Sequence, residues 1–501
     1  MVHSLVSLCA REVVSDHSSS PTWLRWVPRE LYGALLEAAF ACCRPLAVGE
    51  LVQRWPERTL RVGGRRKTGQ TAPSRLCIQA LLLAVVRGLA DQSCMNRSVK
   101  HWRSALQVLD VCGLQGDEGG MGDPMGGWSL TVALCTMVIQ AKAGAHRTQR
   151  KEGDRERKRF SALEREKEAD WEVLVQVRAD IFVNARSWER VRLALSTSGP
   201  LKLQCRYLRV EEISVPSIRT LLNLLPRKSL LGIDVRYSSL GVAGLAELLP
   251  LLSTFPELNS LRLHYCNLDI RRDNFGQEGV LRDLSQGLSN LQELRQLSLT
   301  ALRLPGQLRV LLSSLPQSLE VLELPYLSLS PADLAYLSCS HHVSSLLQLD
   351  LSENCLDETT VPSIRRLLCQ ASSSLQHLSL SGCGLTDRLL GMLLPSLGGC
   401  WALKSLALAL NPLSRAGLCD LMRTAARMPC LRLLLYPNAL EDYQPGLPEL
   451  PSSTQLLEWP LDESVDSNTT SNKLSQVMMD SGRSDLVLTC DLLNFDKDMV
   501  D

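Results

Sequence analysis

The side chains best suited to chemistry in this chain are its cysteines and histidines, which could bind zinc or supply a nucleophile. The 501 residues include 17 cysteines and 8 histidines, but no CxxC pair provides the spacing that a zinc site needs. No Walker-type phosphate loop, GxSxG elbow, HExxH helix or DxD-type ladder occurs at a useful spacing. We therefore expect no enzyme activity, no metal and no cofactor, and we expect reduced thiols.

A second possible function is binding to another protein through apolar side chains, and the N-terminal sequence has a pattern typical of it. Leu5, Cys9 and Val13 recur every four residues, so on a helix they form one apolar stripe, and Ser4 can cap its start. The pattern S-L-x-x-x-C-x-x-x-V resembles the BC-box by which substrate receptors insert a leucine into elongin C. The alternative interpretation is that this stripe packs inward, as the first helix of the chain's own core.

A second docking pattern follows fourteen residues after Val13. Val27, Pro28, Leu31 and Leu35 match the hydrophobic-Pro-x-x-hydrophobic-x-x-x-hydrophobic pattern of the cullin-2 box. The two patterns stand in the order that an elongin- and cullin-binding module requires. The alternative is that Pro28 simply begins the next helix, because proline is well tolerated at the first helical position.

A repeated leucine phrase predicts the fold. From 201 to 440, 67 of 240 residues are leucine, and L-x-x-L-x-L recurs at intervals of 25 to 36 residues. The phrase alternates with period two, like a strand, and helical spacing follows it. Stacked copies bury a continuous core, so we predict an α/β leucine-rich-repeat solenoid: a horseshoe with a parallel concave sheet and outer helices. The phrases begin at Leu230, Leu258, Leu294, Leu319, Leu346, Leu375, Leu403 and Leu431.

Several residues between the leucines have expected roles. Asn354, Asn411 and Cys383 follow strands at the position where leucine-rich repeats satisfy turn backbone groups from inside the coil. The adjacent His341 and His342 are expected to be surface residues. The longest interval contains a charged insertion at 271–275, expected to project as a loop. The candidate client-binding residues of the concave face are His264, Tyr265, Arg303, Tyr326 and Glu353.

Composition changes divide the chain. We expect an all-helical N-terminal cap over 1–138, with helical runs at 31–40, 78–89 and 130–139, and a charged linker over 139–170. The repeats should occupy 171–443, and the tail, 444–501, should be partly ordered because prolines end the array. The cap would cover the first repeat.

Charge and hydropathy limit the partners. The net charge is +1 and 45% of residues are hydrophobic, which gives no overall field for nucleic acid or an anionic membrane. No apolar run is long enough to span a bilayer and no secretory signal is evident. We expect a cytoplasmic protein, with nuclear residence as the alternative if the basic run at 155–159 directs import.

Several segments in order resemble the PRAME family of leucine-rich-repeat proteins. They include VPRELYGALLEAAF, LVQRWP, LKLQCRYLRVEEI, LNSLRLHYCNLD and LLLYPNALEDY, and the resemblance runs from the N-terminus to about Tyr443. It implies a substrate-recognition adaptor of a cullin-2 RING E3 ubiquitin ligase, with elongin C, elongin B, cullin-2 and a protein client as partners. Leu5, Cys9 and Val13 would contact elongin C, and Val27, Pro28, Leu31 and Leu35 would contact cullin-2.

The resemblance also implies a competing function. LGVAGL, SLRLHY and DNF most resemble one branch of the family, whose members restrain Toll-like receptor and NF-κB signalling by binding an IκB kinase subunit. That role needs no ubiquitin. A transcriptional cofactor and a purely structural scaffold remain as further alternatives.

Overall fold

The computed structural model describes most of the chain. The described residues are 4–15, 26–63, 74–94, 105–114, 127–156, 173–267, 277–303, 305–462, 468–483 and 485–492. They form two compact units: the first comprises 1–211 and 220–230, and the second comprises 212–219 and 231–501. The predicted insertion at 271–275 and most of the basic run at 155–159 lie outside the described residues.

Among the described residues, the first unit combines helices with four parallel strands that pair in chain order. Its core contains Leu51, Leu60, Leu81, Leu109 and Leu134, all fully buried. The elements are α1 (Leu5–Ser15), α2 (Tyr32–Ala41), α3 (Pro45–Gln53), β1 (Thr59–Arg61), α4 (Arg75–Cys94), β2 (Val108–Asp110), α5 (Gly127–Glu156), β3 (Val175–Val183), α6 (Trp188–Ser196) and β4 (Leu201–Glu211). Helix α7 (Val215–Leu224) contributes residues to both units.

Two expectations about the N-terminal region are corrected. The predicted helical runs correspond to α2, α4 and α5, but the region is not all-helical, because β1 and β2 lie within it and pair with each other. The expected linker begins inside a helix, since α5 continues to Glu156. Strand pairing is a contact between segments distant in sequence, and three-residue strands offer too few alternating positions to be recognised from sequence.

The second unit confirms the predicted α/β leucine-rich-repeat solenoid. Its strands are parallel and neighbour one another in chain order. They are β5 (Gly232–Arg236), β6 (Ser260–His264), β7 (Gln296–Thr300), β8 (Val321–Glu323), β9 (Gln348–Asp350), β10 (His377–Ser379), β11 (Ser405–Ala407), β12 (Leu433–Leu435) and β13 (Val487–Thr489).

Helices alternate with these strands. They are α8 (Gly241–Leu252), α9 (Gln277–Ser289), α10 (Leu308–Leu312), α11 (Pro331–Leu337), α12 (Val361–Gln370), α13 (Asp387–Gly398), α14 (Arg415–Ala426), α15 (Ser453–Glu458) and α16 (Asn468–Asp480). The tail that was expected to be partly ordered contains α15, α16 and β13, and the array does not end at Tyr443. Strand β13 pairs with β12, and α16 packs against α14.

The leucine phrase sets the register of the second unit. The middle leucine of each phrase lies beside that of the next, as Leu297 does beside Leu261 and Leu322. All three are buried. Because strand side chains alternate between faces, the residues between the leucines lie on the opposite side of the sheet. We call this side the open face.

The predicted internal turn residues are confirmed by their hydrogen bonds. Asn411 Oδ1 accepts from the Leu385 amide at 2.9 Å, and its Nδ2 donates to the carbonyls of Leu380 and Leu408. Asn354, two repeats earlier, forms the equivalent bonds with the Leu329 amide and with the carbonyls of Leu324 and Leu351. Cys383 Sγ lies 3.3 Å from the Leu351 carbonyl. Each side chain satisfies backbone groups that a buried turn would otherwise leave unpaired.

His342 corrects the expectation that both adjacent histidines are surface residues. It is fully buried, and its Nδ1 accepts from the Leu319 amide at 3.3 Å while Nε2 lies 3.1 Å from the Leu312 carbonyl. This geometry fits the neutral tautomer, in which Nε2 donates. Burial lowers the pKa of His342, the hydrogen bond to Leu312 opposing the shift.

In the described part of the chain, no helix is long and apolar enough to cross a lipid bilayer. The same residues contain no group of three or more histidine, cysteine, aspartate or glutamate side chains that could hold a metal ion.

Candidate functional site

Helix α1 directs its predicted apolar stripe toward solvent. The helix packs against α2 and buries Ala10 and Val14. On its outer side Leu5 is 76% exposed, Val13 is 38% exposed and Cys9 is exposed. The three predicted elongin C contacts therefore lie together on an unburied face, and the alternative in which they form the chain's own core does not hold in this structure.

Two further apolar side chains enlarge this surface, and the four-residue spacing did not identify them. Val6 and Leu8 are each about half exposed. The helix start is capped as expected, because the Ser7 amide donates to Ser4 Oγ at 3.2 Å. With small Ala10 on the packed side, α1 places most of its large apolar side chains outside. We call the exposed set Leu5, Val6, Leu8, Cys9 and Val13 the α1 surface.

The cullin-2-box residues are divided between surface and core. Pro28 is exposed and precedes a 3₁₀ turn, Arg29–Leu31, in which Leu31 is 40% exposed; Val27 is half-buried. Leu35 is only 3% exposed, inside α2. Its prediction as a contact residue is corrected, because a side chain sealed in the core cannot reach a partner. The neighbouring Trp26, not predicted, is exposed.

The candidate client residues of the second unit lie along one edge of the open face. Tyr265, Tyr326 and Glu353 each stand four residues after the middle leucine of their phrase. Their amides bond to the next repeat, Tyr265 to the Thr300 carbonyl and Tyr326 to the Ser352 carbonyl. The structure thus brings three predicted residues into one row and adds Tyr237, which sequence reasoning missed. Aligning this position across repeats would have found it.

The other two candidates lie beside this row. His264, at the end of β6, has a side chain only 18% exposed, whereas Arg303 is exposed. His264 Nε2 lies 3.7 Å from Asp234 Oδ1 and has no hydrogen-bond partner. Burial lowers the pKa of His264, although the Asp234 carboxylate opposes the shift. The residue is therefore held as a neutral imidazole near pH 7.

Aromatic and acidic side chains interact along the row. The rings of Tyr237 and Tyr265 are stacked, with centroids 5.3 Å apart and an interplanar angle of 12°. Burial raises the pKa of the Glu353 carboxyl, while hydrogen bonds from Ser453 and Tyr326 favour its ionised form. Burial likewise raises the pKa of Tyr326, and the Glu353 charge adds to this.

The C-terminal part of the open face is closed by the chain itself. Three side chains there are at most 3% exposed. They are Ala407 on β11, Ala409 just after β11, and Leu435 on β12. The chain returns to this face at Ser453, whose Oγ donates to Glu353 Oε2 at 2.6 Å. Leu456, in the same short helix, is buried. The expected tail is thus a folded segment, and the open face available to another molecule extends from β5 to β9.

Glycine at 382 permits this closure. Its φ is +65°, and an added Cβ would lie 2.2 Å from Glu353 Oε1. The carboxylate of Glu353 therefore crosses directly over the next repeat before it meets Ser453. No larger residue fits beneath it without moving that side chain.

Comparisons with known proteins agree with the repeat pattern. The family model described as the PRAME N-terminal domain matches residues 3–118, and that described as the PRAME C-terminal domain matches residues 188–447. The chain is 38% identical to leucine-rich repeat-containing protein 14 of Xenopus laevis and 33% identical to that of Homo sapiens, each over 98% of both chains. It is 27% identical to human PRAME family member 12, over 88% of this chain and 85% of that one.

Proposed function

This chain belongs to the PRAME family of leucine-rich-repeat proteins, and from that membership we propose that it is a substrate-recognition adaptor of a cullin-2 RING E3 ubiquitin ligase. In this proposal the α1 surface binds elongin C, with elongin B as its companion, and residues around Pro28 bind cullin-2. The leucine-rich repeats bind a protein client. The chain would supply binding surfaces only and carry no step of ubiquitin transfer.

The exposure of the α1 surface is the observation that carries the proposal. Burying a leucine side chain contributes roughly 1.5–3 kcal/mol, so a monomer gains nothing from leaving Leu5 in water. A cluster of exposed large apolar side chains on one short helix is typical of a protein-docking site. Small Cys9, between Leu5 and Val13, would let a partner helix approach closely.

The elongin prediction is tested by replacing Leu5 and Cys9 with alanine together. We expect loss of elongin C and elongin B from affinity-purified protein, measured by quantitative mass spectrometry. The matched control is Leu46→Ala, because Leu46 is also a highly exposed helical leucine, on α3, and should leave elongin recovery unchanged. Equal recovery from the double variant and the wild type would refute the ligase proposal.

The cullin prediction is tested at the exposed part of its box. Leu31→Ala should lower cullin-2 recovery while elongin C remains bound, since Leu31 lies outside α1 and is partly exposed. Leu35→Ala serves as the contrasting variant, because removal of a buried side chain should reduce the midpoint of thermal unfolding instead. Cullin-2 recovery unaffected by Leu31→Ala would remove this residue from the proposed interface.

The competing function is inhibition of NF-κB signalling by sequestering an IκB kinase subunit without ubiquitin. It is compatible with the structure because the open face from β5 to β9 belongs to the second unit, whereas α1 belongs to the first, so a client could be bound there without elongin. An NF-κB reporter assay with the Leu5→Ala, Cys9→Ala variant distinguishes the two. Inhibition that survives the variant supports sequestration, and inhibition that is lost supports the ligase.

A further inference from the structure

The row at the edge of the open face is built on a backbone conformation that favours glycine. At this position φ lies between +49° and +65° in seven consecutive repeats. A β-carbon is disfavoured there, and bulky side chains are outliers. Only one of the seven is glycine, and three are tyrosine. The residues in order are Tyr237, Tyr265, Ala301, Tyr326, Glu353, Gly382 and Leu410.

Folding does not explain the three tyrosines. Their side chains are about half exposed, so they contribute little to the core while occupying a conformation that resists them. Residues held in such conformations cluster at ligand sites. Tyrosine is also enriched in protein interfaces, because its ring provides a large contact area at a small cost in side-chain entropy. These features together indicate a binding surface.

Ala301 makes a notch in this surface. It stands between Tyr265 and Tyr326 in the hydrogen-bonded row, its amide donating to the Pro325 carbonyl. The two tyrosines are two strand intervals apart, about 9–10 Å. With only a methyl group between them, the notch can accept one planar side chain in contact with the tyrosine rings.

Charge changes sign along the same face. Toward β5 and β6 the cationic side chains are Arg236 and Arg262. Arg236 forms an ion pair with Asp234 at 2.8 Å, whereas Arg262 has no ion pair or hydrogen bond within the described ranges. Toward β8 and β9 the acidic side chains are the carboxylates Glu323, Asp350 and Glu353.

A buried polar atom without a partner lies where the charge changes sign. Ser298 is 2% exposed, and its Oγ forms no hydrogen bond in the structure. In the strand register it is placed between Arg262 and Glu323. Because the Ser298 side chain is short and buried, the longer side chains of Arg262 and Glu323 on either side are the ones that a partner molecule would contact.

We propose that the open face from β5 to β9 binds an extended segment of a partner protein with a defined charge order. The segment carries acidic side chains over β5 and β6, a planar aromatic side chain in the notch at Ala301, and basic side chains over β8 and β9. Four strand intervals span about 19 Å, which corresponds to about six extended residues. The Ser453 to Glu353 contact marks the end of the site. This assignment deepens the proposed function by naming the class of client.

The probe is the fluorescein-labelled peptide Asp-Glu-Gly-Trp-Gly-Arg-Lys, measured by fluorescence anisotropy with the full-length chain. The comparison peptides replace Trp by Ala, or carry acidic residues at both ends, or basic residues at both ends. We expect each of the three to bind at least about tenfold more weakly than the probe. Equal affinity among the four peptides, or no measurable binding of the probe, overturns the proposal.

Variants of the chain locate the binding. Tyr265→Ala with Tyr326→Ala should weaken probe binding at least about tenfold, and Tyr265→Phe should retain most of it, since the ring is preserved. Arg262→Glu should shift preference to the peptide with basic residues at both ends. The matched control is Trp401→Ala, an exposed aromatic residue in the turn before β11. Unchanged binding by the tyrosine double variant overturns the assignment.

The same assay separates this proposal from the ligase proposal. The Leu5→Ala, Cys9→Ala variant should bind the probe as tightly as the wild type, because the substituted residues belong to the first unit and the open face is formed by strands of the second. Loss of elongin C with retained probe binding supports both proposals. Retained elongin C in that variant, with normal probe binding, refutes only the ligase role.

Discussion

Leucines on α1 face solvent, whereas the leucines of the repeated phrase in β6 to β12 face the core. Leu5 is 76% exposed, while Leu322, in the middle of the second unit, is fully buried. The residue type is the same, and both lie in regular secondary structure. The difference lies in what each element packs against.

In the second unit each leucine has a neighbour from the same phrase one repeat away, as Leu322 has Leu297 and Leu349. Stacking therefore gives every copy a partner. Helix α1 has no such repetition: Ala10 and Val14 fill its contact with α2, and the larger side chains remain outside. Burial of a leucine therefore depends on the neighbours that its element packs against, and the larger side chains of α1 lack such neighbours among the described residues.

The largest effect is expected for a leucine at the centre of the stack. Leu322→Ala should lower the free energy of unfolding by about 2–5 kcal/mol, because it removes a buried side chain and leaves a cavity. Chemical denaturation followed by circular dichroism measures this. A loss below about 1 kcal/mol would mean that the stack relaxes around the cavity, and it would weaken the contrast with α1.

A smaller effect is expected where polar groups support the same stack. Asn411→Ala leaves the Leu385 amide without its acceptor and two carbonyls without their donor, and a buried unsatisfied group costs about 1–3 kcal/mol. Cys383→Ala is the matched comparison at the equivalent turn position, where a thiol provides weaker hydrogen bonds. Asn411→Ala should destabilise more than Cys383→Ala in the same denaturation assay; equal losses would contradict the hydrogen-bond account.

Sequence predicted those parts of the fold that repeat. The leucine phrase gave the strands of the solenoid and the turn roles of Asn354 and Asn411, because each copy reinforces the same local pattern. It did not predict β1 or β13, which lack the full phrase and depend on pairing with strands distant in sequence. The burial of His342 was missed for the same reason, since its partners belong to the preceding repeat.

The candidate site was predictable only in part. Spacing placed Leu5, Cys9 and Val13 on one helical face but could not decide whether that face points inward, because a stripe of this kind suits a core as well as an interface. The repeat pattern identified Tyr265 and Tyr326 as separate candidates but not the row that they form with Tyr237. The closure of the open face at Ser453 was not predicted either, because that contact joins residues 100 positions apart.

The stability of the second unit, which contains His342 and His264, should depend on pH. The folded-state pKa of His342 is lowered by burial, so the unfolded chain binds protons more readily, and stability is lost as the pH falls below about 6.5. The free energy of unfolding should be lower at about pH 5.5 than at about pH 7.5. His342→Asn should reduce this difference without abolishing it, because the pKa of His264 is lowered in the same sense. A pH response identical in variant and wild type would contradict the role of His342.

The smallest stability effect is expected on α1, where the functional effect should be greatest. Leu5→Ala removes a side chain that is already in water, so the free energy of unfolding should change by no more than about 0.5 kcal/mol. Paired with Leu322→Ala in one denaturation series, it measures how far two leucines differ when only one has stacked neighbours. A loss at Leu5 of the size expected at Leu322 would mean that α1 is held by its outer side chains. In that case the α1 surface would belong to the chain's own fold, and the reason for assigning it to elongin C would be gone.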